Sequence, residues 1–268
     1  MGQIWNIARG VFKESVRDRV PYSLVLFAVL LMAASYLISQ LTAGQDLKII
    51  KDLGLASISV IGLLIAIFIG IGLVSKEVER RSIYSLLSKP ISRTAFILGK
   101  FAGLVMTLVV NVGAMTVAFY AVLAYMNWMA EPALRAAWEA PAMDVRLTIP
   151  IALSLAQLTM VTAIALFFST FSSPLLSALF TLGVWTAGHF NADLRNFENV
   201  LDSPVAVYVA RTLYYLLPNF APFDVKAQVV HGEGVSAAHV VLMLAYAAVY
   251  VGALLSAAVA IFRRRDFK

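Results

Sequence analysis

The sequence contains no cysteine, which removes disulfides, thiolate metal sites and thiol nucleophiles from consideration. Charge is scarce as well. Only 13% of its 268 residues are Asp, Glu, Lys or Arg, about half the share usual in a soluble domain. No GxxxxGK[ST] loop occurs. The single Gly-Lys pair, Gly99-Lys100, has Thr94 where the first glycine belongs and Phe101 in place of Ser or Thr. There is no HExxH and no GxSxG. The three histidines (His189, His231, His239) lack metal-ligand spacing, and His189 reads as the polar end of an apolar segment. The chain therefore shows no means of its own to hydrolyse ATP, hold a metal or run nucleophilic catalysis, and no cofactor site.

What is abundant is apolar surface, at 61% of residues. A spanning helix needs about 20 largely apolar residues, and six segments qualify: about 21–41, 54–75, 98–125, 149–170, 173–190 and 238–262. The expected fold is all-α and integral to a membrane, with one six-span domain over 21–268 preceded by an amphipathic helix over 1–20. No Asp, Glu, Lys or Arg lies in the middle of any span. Ion-coupled transporters place such residues there, so any transport work needs another energy source. The deep polar residues are Asn111, Gln157 and Thr159, candidates for interhelical hydrogen bonds or for lining a translocation path. Small residues recur every fourth position at Gly62, Ala66 and Gly70, at Ala248, Gly252, Ser256 and Ala260, and at Gly99 and Gly103. That spacing lets helix backbones approach closely in lipid, within or between subunits.

The first twenty residues place Ile4, Ile7, Ala8, Val11, Phe12 and Val16 on one half of a helical wheel, and Arg9, Lys13 and Arg17 on the other. An apolar face opposite a cationic stripe predicts an interfacial helix on an anionic leaflet. Basic residues also set orientation. If the N-terminus is cytoplasmic, fourteen of the 21 Lys and Arg residues fall on the cytoplasmic side, in the N-terminal segment, the 76–100 region and the RRRDFK tail. This predicts a multi-pass protein of the cytoplasmic membrane with both termini inside. It also explains the net charge of +6 without nucleic acid. The apolar stretch 205–217 carries Arg211 and ends at Pro218. It is too short to span and reads as an interfacial or re-entrant helix within an outer loop of about 191–237.

The densest charge lies in VSKEVERRSIYSLLSKPISRTAFILGK, residues 74–100. Ser82 is positioned to cap a short helix with Ile83, Leu86 and Leu87 on one side. Pro90 ends it, and Ser92 is a second cap, opening the next span. Apolar residues rimmed by charge suggest a protein-docking surface; the alternative is a solvated loop whose basic patch binds lipid headgroups.

This stretch resembles the signature loop of ABC-2 type exporter permeases, with matching residues Glu77, Glu79, Ser82, Leu86, Leu87, Lys89, Pro90, Ser92, Arg93, Gly99 and Lys100. Arg81 stands where many members have glycine. The N-terminal elbow, the six spans, the loop after the second span and LLPNFAPFD (216–224) are also similar, most closely to the subgroup of nitrous-oxide-reductase maturation and gliding-motility permeases. The resemblance implies that the loop, about 76–97, is a coupling helix docking on a separate ABC ATP-binding subunit, which would hold ATP and Mg²⁺. Leu86 and Leu87 would be the docking knobs, and Glu77, Glu79, Arg80 and Arg81 would pair with the partner. A second permease copy, identical or not, would complete the membrane part. Two other readings stay open: a mechanotransmission complex acting on a periplasmic partner without solute flux, and a stand-alone membrane scaffold or channel.

Overall fold

The computed structural model describes residues 2–39, 46–79, 92–136, 138–191 and 204–264, and every regular element among them is helical. In chain order these are α1 (Gly2–Arg17), α2 (Arg19–Ser39), α3 (Asp46–Glu79), α4 (Arg93–Met129), the short α5 (Pro132–Ala136), α6 (Thr148–Ser169), α7 (Pro174–His189), α8 (Pro204–Leu216), the short α9 (Lys226–Val230) and α10 (Ala237–Arg264). Prolines punctuate them. Pro21, Pro132, Pro150, Pro174 and Pro204 all sit in first turns, where the missing N–H has no intrahelical partner to lose. Ser92 caps α4, its hydroxyl oxygen accepting from the Ala95 amide at 3.1 Å.

Among the described residues five helices are long and apolar enough to cross a membrane: α2, α3, α4, α6 (with the turn before it) and α10. The chain is a multi-pass membrane protein. The helix α7 is equally apolar but has only 16 residues, about 24 Å at 1.5 Å per residue, short of a hydrocarbon core of about 30 Å.

Helices α3, α4 and α6 form the centre. About three-fifths of the apolar windows of α3 and α6 (61% each) and 56% of that of α4 are buried, against 22% for α2 and 6% for α10. The register explains the close fit of α3 on α6. A side chain added at Gly62 would strike Leu158, and one at Gly70 would strike Ala165, while Ser59 meets Ser154 at 3.2 Å. These pairs advance in step, so the two helices run in the same direction, with the antiparallel α4 packed beside both. Ala66, between the two glycines, is likewise buried. Toward the other end, Gly54 leaves room for the fully buried ring of Phe119 from α4.

Two expectations shift. The second and third spans are parts of longer helices: α3 has 34 residues and α4 has 37, about 51 and 55 Å. Helical hydrogen bonding does not stop where hydropathy does, so α3 starts eight residues before its expected span and includes Lys48, Lys51 and Asp52 in its first turns. The apolar face of α1 is also not left for lipid. Ile7 and the Ile4 carbonyl crowd Gly99, and Val11 and the Ala8 carbonyl crowd Gly103, making α1 on α4 the most extensive helix pair in the fold. The basic residues Arg9, Lys13 and Arg17 stay exposed on the opposite side.

Candidate functional site

One end of the bundle gathers α1, the last turn of α3, the first turns of α4 and the last turn of α10. The connection 80–91 joins α3 to α4 here. Arg80, Arg81, Ser82, Leu86, Leu87, Lys89 and Pro90 lie outside the described residues, while Glu77 and Glu79 belong to the last turn of α3. We call this the loop end.

Arg93 is the first residue of α4. Its Nη1 donates to the carbonyls of Arg263 at 2.7 Å and Phe262 at 3.2 Å. A charged donor makes a carbonyl hydrogen bond stronger than a neutral one does. One turn on, Phe96 stacks on Phe262 with centroids 5.5 Å apart and planes 12° from parallel. The ammonium of Lys100 lies 5.0 Å from the centroid of the same Phe96 ring, with Lys100 only 1% exposed. Gly99 and Gly103, on the next turns, receive α1. Val11, Phe96, Ile97, Leu104, Leu166 and Phe262 close a second core, separate from the main one. A residue on the loop is thus joined, through α4, to both terminal helices.

The chain matches the ABC-2 family transporter protein domain over residues 5–267. It belongs to the ABC-2 transporter family. No curated protein matched the chain.

The deep polar residues Asn111, Gln157 and Thr159 of this ABC-2 family protein are each hydrogen-bonded. Asn111 donates from Nδ2 to the Thr107 carbonyl of its own helix at 2.7 Å, and Thr159 likewise to Leu155 at 2.8 Å. Gln157 reaches across to α7, where its Nε2 lies 3.1 Å from His189 Nε2. His189 Nδ1 is 2.9 Å from the Trp185 carbonyl, which can only accept. In the neutral ring Nδ1 therefore carries the proton, Nε2 accepts, and Gln157 is the donor. The ring is flanked by Trp185 and Phe220. Among the described residues no group of three or more His, Cys, Asp or Glu could hold a metal ion.

At the opposite end, which we call the cap end, cations act as staples. Lys48 pairs with Glu139 at 2.7 Å, and this hydrogen bond holds the Glu139 carboxyl below its ordinary value. Lys51 is 1% exposed and donates to the Pro141 carbonyl at 2.9 Å. Arg146 donates to the Gly232 carbonyl at 3.2 Å. Lys226, from α9, donates to Ser59 Oγ at 3.1 Å and lies 3.7 Å from Asp224, tying the outer segment to α3. Sequence reasoning assigned these lysines to loops. The signal it had was their place at the edges of apolar runs, which does not specify the carbonyl or hydroxyl each one reaches.

The small-residue positions divide into two kinds. Gly62, Ala66 and Gly70 are consumed inside the subunit. Gly252 has nothing within 4 Å of a side chain added there, and Ala248, Gly252, Ser256 and Ala260 form an exposed stripe along α10.

Proposed function

We propose that this chain is the permease subunit of an ATP-driven ABC-2 exporter, moved by a separate ATP-binding subunit that docks on the loop of about 76–97. The observation that carries the reading is the continuity from Ser92 and Arg93, at the exit of that loop, into α4 and from there into α1 and α10. Leu86 and Leu87 are the docking knobs, with Glu77, Glu79, Arg80 and Arg81 as charged partners. Ser82 caps the coupling helix and Lys89-Pro90 ends it. ATP and Mg²⁺ belong to the partner. The absence of a P-loop and of charges in mid-span supports this division of labour.

In this reading six spans cross the cytoplasmic membrane, with α7 as a short fifth span and both termini cytoplasmic. The helix α8, with Tyr208 and Tyr215 exposed, is the interfacial or re-entrant element of the outer side. A second permease copy covers the stripe of Gly252 and Ser256, because small residues facing outward permit the close helix approach that lipid chains do not require.

The test is co-purification of a P-loop ATPase with the full chain from its native membrane, repeated with Leu86→Asp. The reading expects an ATPase to be recovered with the unmodified chain. It also expects loss of ATPase stimulation and of transport in the variant, with membrane insertion unchanged. Undiminished stimulation in Leu86→Asp sinks the docking assignment. Failure to recover any P-loop protein favours the stand-alone scaffold. Recovery of a periplasmic partner without solute flux favours mechanotransmission.

A further inference from the structure

Arg93 is a residue of the coupling motif that bonds the backbone of α10. We propose that Arg93 is a positioning residue that makes the inner end of α10 part of the moving unit, so that force on the loop is delivered to the last span as well as to α3 and α4. The inference rests on the permease reading above and deepens it.

Three observations carry it. First, the bond is of a strong kind. A charged guanidinium donates to two successive backbone carbonyls, Phe262 and Arg263, a bond strengthened by the donor's charge. Second, the clamp is local to the start of α4. Arg93 and the Phe96–Phe262 stack occupy its first turn, directly after the Ser92 cap, so any displacement of the loop reaches them before any span interior. Third, within the subunit α10 has one main neighbour. Only 6% of its apolar window is buried, and its packing is mainly on α6, with a smaller contact on α4. Without a glycine seat on α3, α4 or α6, α10 can shift when its end is pulled, whereas α3 and α6, interlocked through Gly62 and Gly70, cannot shift alone without clashes.

The chain has no cysteine, so introduced thiols report without background. Spin labels at Ser173→Cys, the exposed residue before α7, and Arg263→Cys, whose backbone carbonyl remains available to Arg93, measure the distance from the inner end of α6–α7 to that of α10. The full chain is reconstituted in nanodiscs with a cysteine-free ATP-binding subunit and compared with and without trapped ATP. The expected result is a nucleotide-dependent shift of the distance distribution that is lost in Arg93→Gln while the ATPase still co-purifies. Arg93→Lys, which keeps a cationic donor of different shape, should retain part of the shift, and serves if the Gln variant fails to fold. A purely structural role would lower the melting temperature of both variants and leave the shift intact, and that result overturns the proposal. Failure of the ATPase to bind the unmodified chain is a different outcome, and refutes the permease reading itself.

Discussion

The seat of α1 on α4 can be tested with a single methyl group. In Gly103→Ala the new Cβ would lie 2.6 Å from the Ala8 carbonyl oxygen, 2.6 Å from Val11 Cβ and 2.7 Å from Val11 Cγ1. Relief to ordinary contact requires α1 to retreat by roughly 1 Å, because a backbone oxygen cannot rotate aside as a side chain can. Overpacking of this kind costs about 1–3 kcal/mol. Alanine is also the better helix former by about 1 kcal/mol, which offsets part of that cost and would obscure it in a single measurement.

Gly252→Ala removes the ambiguity. It makes the same chemical change in another long helix, with nothing within 4 Å of the added carbon, so it carries the propensity gain without the clash. The difference in unfolding free energy between the two variants then isolates the steric term, and about 1–3 kcal/mol is expected, with Gly103→Ala the less stable. Detergent-solubilised single subunits, unfolded by denaturant titration in identical micelles, provide the measurement. A difference within about 0.5 kcal/mol, the scatter of ordinary surface substitutions, would show that α1 does not sit in the glycine seat. Gly252→Ala also has a second use: if it weakens self-association while leaving single-subunit stability intact, the exposed stripe of α10 is where a second copy packs.

Three further outcomes follow from individual contacts. Gln157→Leu leaves His189 Nε2 without its donor and should cost about 1 kcal/mol in the same titration, within the range of interhelical hydrogen bonds in membranes. Asn111→Leu, which removes only a bond to its own helix, should cost less, and the reverse order would refute the pairing. Lys226→Met keeps the aliphatic stem but releases Ser59. The stability change should stay below about 1 kcal/mol because the lysine is partly exposed, yet thiol labelling of a cysteine placed at Ala227 should accelerate, and unchanged labelling would refute the staple. The Glu139 carboxyl is held below its ordinary value of 4.5 by Lys48. A depressed folded-state value means that its stabilisation is present above that ordinary range and lost as pH falls through the folded value. Stability measured from pH 7 downward should therefore fall slightly more steeply for the natural chain than for Glu139→Gln; parallel curves would show the pair contributes nothing.

Much of the helix layout was legible because membrane insertion imposes a simple rule: backbone groups in lipid must bond within their own helix, so apolar length reports helix position. Ser92, followed by an apolar run, announced the start of α4, and Pro218 marked the end of the region after α8. Less legible was how far helices continue past the apolar band, since Asp46, Lys48 and Lys51 read as loop by hydropathy although they occupy helical turns. The seat of α1 was half legible. Gly99 and Gly103 announced a close helix contact, and Ile4, Ile7, Ala8 and Val11 announced an apolar face, but joining the two is a matter of tertiary structure. Arg93 was legible as part of a charged motif, whereas its partners are backbone carbonyls of Phe262 and Arg263, which no side-chain pattern encodes.

The way α10 is fastened argues for where this fold can give. At the loop end it is held by Arg93 and the Phe96–Phe262 stack. At the cap end the Tyr246 hydroxyl accepts from the Asn219 amide at 3.0 Å, and His239 lies 2.8 Å from the Pro222 carbonyl. Those two contacts connect it to the outer segment that Lys226 ties back to α3. Between these attachments α10 offers much of its surface to lipid, including Val249, Gly252 and Ser256. Interlocked α3, α4 and α6 resist relative sliding because glycine-seated contacts tolerate displacements of only a few tenths of an ångström before atoms collide. The helix α10, packed mainly on α6 and with no glycine seat in the described contacts, has no such limit. If the loop end is driven, α10 is the element able to carry that displacement to the outer segment, and a break at Arg93 or at Tyr246 should interrupt it at opposite ends of the same path.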